Sequence, residues 1–295
     1  MNKVLRMAWM NVLLSYRIKI AFFFTFIFPM MFFFVYFGLI ARGKPHAVEA
    51  MMGPLISFSV ISNALFGLSV QLVTMRERDM LRRYHLAPIR AAEMVGSRLL
   101  SNYLLFLPIV VLQYGLAVWM FHMPVHGSLL ALWLMFTLGY LALGAIGLVV
   151  AGIVDTVQEA TVWNQILFFA LLFLTGTTFP LVQLPHFVQR LALFMPPTLM
   201  ILGSASIMLG GQGIAQNLPE LVGLALITVS SLGLGIALFR WEKEEKTTRR
   251  GRMQAALALI PLLAVGLWLN YSTSFQQKSQ ASLSAAARAF QAEMR

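Results

Sequence analysis

The chain has 295 residues, 59% of them hydrophobic and only 11% charged, against about 25% charged in soluble globular domains. That balance excludes an ordinary soluble domain, and the absence of cysteine excludes a disulfide framework. The formal net charge of +11 does not point to nucleic acid, because the basic residues sit at the ends of apolar runs and form no single patch.

Residues 1–19 read as an amphipathic helix on the cytoplasmic membrane surface. Val4, Leu5, Ala8, Trp9, Val12 and Leu13 recur at helical spacing, with Lys3, Arg6 and Asn11 elsewhere. The following run, Ile20–Ala41, is too long for the apolar core of a signal peptide and ends without a small-x-small cleavage pattern. It predicts a retained first span. Its nine Phe and one Tyr between Phe22 and Phe37 point all round a helix, which suits lipid contact and packing better than a cofactor.

A helix crosses a bilayer with roughly 20 apolar residues. Seven spans are predicted on that basis: 20–41, 52–75, 99–121, 128–153, 160–180, 220–239 and 253–271. The charge-free run 99–154 is split at His122-Met-Pro-Val-His-Gly-Ser128, where Pro and Gly in a polar cluster mark a turn. Between spans five and six lie Pro185, Pro196, Pro197, Gly203 and Gly210-Gly-Gln-Gly213. That composition predicts short helices and loops over 176–213; the alternative is an outer loop plus one ordinary packing helix.

Orientation follows from Lys and Arg in short loops. Lys3, Arg6, Arg17 and Lys19 precede span one. Arg76, Arg78, Arg82, Arg83, Arg90 and Arg98 follow span two, and Arg240, Lys243, Lys246, Arg249, Arg250 and Arg252 follow span six. These places alternate in the topology and hold most of the 22 basic residues. The N-terminus and the basic loop 241–252 are therefore expected in the cytoplasm. A spanning 253–271 puts the tail 272–295 outside.

No enzyme motif is present. There is no phosphate-binding glycine loop, and Gly43-Lys44 runs into Pro45. His122 and His126 stand four apart, as metal ligands on one helix face would. Pro124 and Gly127 break such a helix, so both read as interfacial residues of a turn. Asp155 and Glu159 read as a water-exposed loop between spans four and five. The spans offer neutral polar groups only. Ser59 and Asn63, four apart on one helix face, and Asn164 in span five could line a polar path; interhelical hydrogen bonding is the competing reading.

Three stretches carry a family resemblance: Arg76-Glu-Arg-Asp-Met-Leu-Arg-Arg-Tyr-His-Leu-Ala-Pro88; Thr156-Val-Gln-Glu-Ala160 with Asn164; and Gly176-Thr-Thr-Phe-Pro180 followed by Leu184-Pro185 and Pro196-Pro197-Thr198. Together they resemble the permease subunits of type-2 ABC exporters, the ABC-2 or type V exporter fold, over residues 1–240. The family usually has Gly-Thr where this chain has Asp79-Met80. The resemblance implies an all-α polytopic bundle of six spans, here residues 20–240, with an amphipathic N-terminal helix and re-entrant outer helices turning at Gly176, Pro180, Pro185, Pro196 and Pro197. Span seven goes beyond that plan.

It further implies an inner-membrane exporter subunit, not itself an enzyme. It would pair with a second permease copy or paralogue and two ATP-binding subunits, which hold the ATP and Mg; this chain would bind no cofactor. Segment 76–90 would be the coupling helix, docking through Arg76, Glu77, Arg78, Leu81, Arg82, Arg83, Tyr84 and Pro88. Leu81, Tyr84 and His85 lie three to four apart and can face a groove, while Arg78, Arg82 and Arg83 can meet acidic rims. Two other classes stay open: a secondary transporter or channel without an ATPase, and a non-transporting membrane anchor or assembly subunit.

Overall fold

The computed structural model describes residues 3–15, 26–42, 44–81, 89–242, 259–272, 275–277, 280–281 and 284. Among them are helices and turns and no strand. In chain order the helices are α1 (Lys3–Ser15), α2 (Phe28–Phe34, continuing as a π-helix over Val35–Ile40), α3 (Pro45–Glu77), α4 (Ala91–Phe121) and α5 (Leu129–Ile153). Then come α6 (Val157–Leu174), α7 (His186–Ala192), α8 (Pro196–Met208), α9 (Leu218–Ala237) and α10 (Leu259–Tyr271). Five helical stretches, α3 to α6 and Ala215–Ala237, are long and apolar enough to cross a membrane. The polytopic all-helical expectation holds.

The helices outrun the apolar runs that announce them. α3 has 33 residues, about 50 Å at 1.5 Å per residue, against a hydrocarbon core of about 30 Å. A charged side chain ends an apolar run without ending a helix. α3 begins instead at Pro45, whose fixed φ and missing N–H suit the first helical position. α4 is capped by Arg90, whose backbone N–H donates to the Glu93 carboxylate at 2.9 Å. α6 is shorter than predicted: Gly176 at φ +88 stops it ahead of Pro180. The start of span one and residues 243–258 lie outside the described residues. The described α10 has 13 residues, about 20 Å.

α5 is the centre of the bundle and packs on α3, α8 and α9; α1 lies along α4, and α6 is attached mainly to α3. Helices in an apolar medium associate by close packing, which favours small residues at their contacts. A Cβ on Gly147 of α5 would stand 2.9 Å from the Leu65 carbonyl of α3, and one on Gly139 would stand 2.2 Å from the Met200 sulfur of α8. Tyr140, between these glycines, is fully buried. Its ring stacks on Phe106 with centroids 4.8 Å apart, and its hydroxyl donates to Asn63 Oδ1 at 3.1 Å.

α3 ends and α4 begins on one face of the bundle, called here the basic face. α6 leaves that face, and α9 returns to it, where Arg240 meets the α5–α6 turn. Segment 175–217 therefore starts and finishes on the opposite face. Within it α7 and α8 are bent by 95°, forming a re-entrant hairpin. α8 is buried along nearly its whole length, including Pro196 and Pro197 in its first turn. Its far end meets the α4–α5 turn, where Gly127 at φ +72 faces the Ile207 carbonyl.

Gly147→Val should force α3 and α5 apart and lower stability by about 1–3 kcal/mol. Gly96→Ala, which meets nothing within 4 Å, should be neutral. Thermal unfolding of the two purified variants in detergent reads the difference.

Candidate functional site: the clamp at the basic face

The α5–α6 turn, Val154-Asp155-Thr156, joins the C-terminus of one buried helix to the N-terminus of the next. A helix end leaves four carbonyls or four N–H groups without intrahelical partners, and such groups are costly away from water. Two consecutive residues at the end of α3 meet both needs. Arg76, 4% exposed, donates from Nη1 to the Ala151 carbonyl at 3.1 Å and from Nη2 to the Val154 carbonyl at 2.6 Å. Glu77 Oε1 accepts from the Val157 N–H at 2.7 Å. The cation sits at the negative end of α5 and the anion at the positive end of α6, so each charge also matches the helix dipole it meets.

Two further elements close the clamp. Arg240, just beyond α9, pairs with Asp155 at 2.6 Å and donates to the Val154 carbonyl. Thr156 caps α6, its hydroxyl accepting from the Glu159 N–H at 3.1 Å, while the Glu159 carboxylate accepts from the Asp155 N–H at 2.8 Å. Asp155 is therefore a clamp member and not simply a solvated loop residue. Its partner Arg240 lies 85 residues away in sequence, beyond the reach of local pattern.

Beyond Glu77 the chain turns sharply. Asp79 has φ +55, the left-handed conformation that Asp tolerates better than most residues. It stands where the resemblance has Gly. Leu81 is then buried in a small apolar cluster with Met75 and Met94, against which Met7, Ile89, Phe239 and Trp241 pack. α1, α4 and the end of α9 thus hold the start of the charged segment. Of the expected docking residues, Arg76, Glu77 and Leu81 are engaged inside the chain and Arg78 is exposed. Arg82, Arg83, Tyr84 and Pro88 lie outside the described residues.

A family model described as ABC-2 family transporter protein matches residues 43–237. The chain belongs to the ABC-2 transporter family. No curated protein matches the chain significantly. Family membership makes it a multi-pass membrane permease of ABC-transporter type, and the clamp lies within the matched region except for Arg240.

The expected path residues are not brought together on one open surface. Ser59 is buried, its hydroxyl donating to the Leu55 carbonyl at 3.2 Å and accepting from Gln113 Nε2 at 3.3 Å; Gln113 also reaches the Pro29 carbonyl at 3.3 Å. Asn164 is buried and donates to Ser69 Oγ, pinning α6 to α3. Asn63 is half-buried and accepts from Tyr140. On the same side of α3, Phe66, Gly67, Val70 and Gln71 are also only partly covered by the rest of the chain. At the re-entrant turns, Pro180 precedes a short 3-10 turn (Leu181–Gln183), and Pro185 precedes α7.

The bundle also holds two carboxylates that a reading of neutral spans did not anticipate: Glu49 in α3 and Glu220 in the first turn of α9 are both buried.

Arg76→Met should cost about 1.5–3 kcal/mol, the range for a charge-assisted hydrogen bond. Arg76→Lys should rescue little, because an ammonium lacks the fork that spans two carbonyls. Unfolding transitions of the two variants in detergent check both statements.

Proposed function

We propose that this ABC-2 protein is the transmembrane permease subunit of an ATP-driven exporter. It works with two ATP-binding subunits, which hold the ATP and Mg, and with a second permease copy or paralogue. The basic face is cytoplasmic, the N-terminus with it, and the re-entrant hairpin lies at the outer face of the inner membrane. The observation that carries this reading is the clamp. The charged segment that a soluble partner would grip leaves α3 directly after Arg76 and Glu77. Those two residues hold the ends of α5 and α6, and Arg240 ties in α9. A push on segment 78–90 therefore reaches three helices through hydrogen bonds at their termini.

The inward set Arg76, Glu77 and Leu81 anchors the segment, and Arg78 with Arg82, Arg83 and Tyr84 docks the partner. For the path, the partly uncovered strip of α3 carrying Asn63, Gly67 and Gln71 is favoured over Ser59 and Asn164, which neighbours enclose. Of the five long apolar helices, α6 is the least covered by the rest of the chain, and it suits contact with a second permease.

Reversing Arg78, Arg82 and Arg83 to Glu should abolish copurification of the ATP-binding subunits while the variant still folds. Undiminished recovery of those subunits would refute the docking assignment. Orientation is checked separately. Because the chain has no Cys, single cysteines can be introduced at Arg82 and Gly211 and challenged with an impermeant reagent on intact cells. Labelling is expected at position 211 and not at position 82.

A further inference from the structure

α4 and α5 follow one another in the chain, yet each packs mainly on other helices and they touch one another little. Between them lies a cavity of about 330 Å³, inside the range of roughly 300–1,000 Å³ common for ligand pockets. Aromatic rings fix where it begins. Tyr103 and Phe106 of α4 wedge against Tyr140 of α5, with centroids 5.4 and 4.8 Å away. At the same level the Tyr103 hydroxyl and Thr137 Oγ1 share a hydrogen bond of 2.7 Å, so the two polar groups at the inner end satisfy one another. Nearer the α4–α5 turn, Gly115 lines the cavity without a side chain, and a Cβ there would meet nothing within 4 Å.

The cavity is a groove that opens sideways. Its floor includes the buried Ile56, Phe106, Leu132 and Phe136, while Val111, Gly115, Leu129 and Trp133 on its rim are exposed. In a membrane permease that rim meets lipid. Along α4 the lining runs from Tyr103 to Gly115, and along α5 from Thr137 to Leu129, which is about 18 and 12 Å at 1.5 Å per residue. Half of the hydrocarbon core is about 15 Å. The groove therefore has the depth of one leaflet, the leaflet on the face opposite the clamp, where α5 begins.

Two amphipathic rings stand toward its outer end. Tyr114 and Trp133 both line the groove, and neither the phenol nor the indole N–H has a hydrogen-bond partner among the described residues. Such rings favour the boundary between hydrocarbon and headgroups, with the ring in the apolar layer and the polar tip outside it.

We propose that the groove between α4 and α5 is a binding site for one acyl chain of a bilayer lipid. The chain lies along Phe106, Val110 and Phe136, and its ester carbonyl accepts from Tyr114 or Trp133. No charged side chain lines the groove, so a polar solute would lose its hydration there without compensation. A hydrocarbon chain instead supplies the dispersion contacts that an unfilled gap forfeits. Bound there, the lipid completes the packing that α4 and α5 do not make with each other. The site needs the membrane and no ATP-binding partner.

The test uses the full chain in phosphatidylcholine nanodiscs that contain a tracer of phosphatidylcholine with a photoactivatable diazirine in mid-chain. Irradiation and peptide mass spectrometry map the adducts. Peptides holding Val110 and Phe136 should be labelled above the one holding Val229 of α9, although Phe136 is buried and Val229 is 72% exposed. In Gly115→Trp, where the new ring enters open space, the groove adducts should be lost and those at Val229 kept. Labelling that follows exposure alone in the unaltered chain, with Val229 above Phe136, would overturn the site. Groove adducts that persist in a folded Gly115→Trp variant would overturn it as well. The comparison within the unaltered chain does not depend on any variant folding.

Discussion

The turn of three residues between α5 and α6 sets the strongest constraint on this structure. It lies between two apolar helices and presents the unpaired carbonyls of one and the unpaired N–H groups of the other. Where water is scarce, those groups need partners within the chain. They find them in Arg76, Glu77 and Arg240, which come from the ends of two other helices. α3 and α9 are thereby fixed against the turn, and the segment leaving α3 is aimed by the same contacts.

Above the clamp, shape takes over from charge. α5 is surrounded, and its glycines let the Leu65 backbone and the Met200 side chain come close. Several of the buried polar groups join one helix to another. Tyr140 meets Asn63, Gln113 joins Ser59 to the Pro29 carbonyl, and Asn164 meets Ser69. Each links two or three helices at a defined height, which fixes register where apolar packing alone would permit sliding.

Most of the helical plan was legible in the chain, because runs of about 20 apolar residues bounded by charge have few other readings. The parity of the re-entrant segment was legible too, through its Pro and Gly. Helix ends were less so: charge bounds a membrane span but not a helix, and Glu49, Arg76 and Glu77 all lie on α3 outside the predicted 52–75. The clamp and the His126–Glu49 contact were not legible, since their partners lie 75 to 86 residues apart. His46 and Glu49 at i and i+3 behind a helix-starting Pro45 were the one local hint. Polar residues such as Asn164 were found in the sequence, but not the neighbour each would face.

The re-entrant hairpin has a consequence for the order of assembly. α8 is enclosed by α3, α5 and α9, yet α9 follows it in the chain. A segment that enters and leaves by the same face cannot be placed as a span by partition into lipid. Its walls must exist first, and the last of them is made only after α8 itself has been synthesised. The prolines at 196 and 197 ease the wait, because two of the four N–H groups that a helix start would expose to hydrocarbon are absent from the outset. Completion of the bundle is therefore a late event, dependent on the arrival of α9.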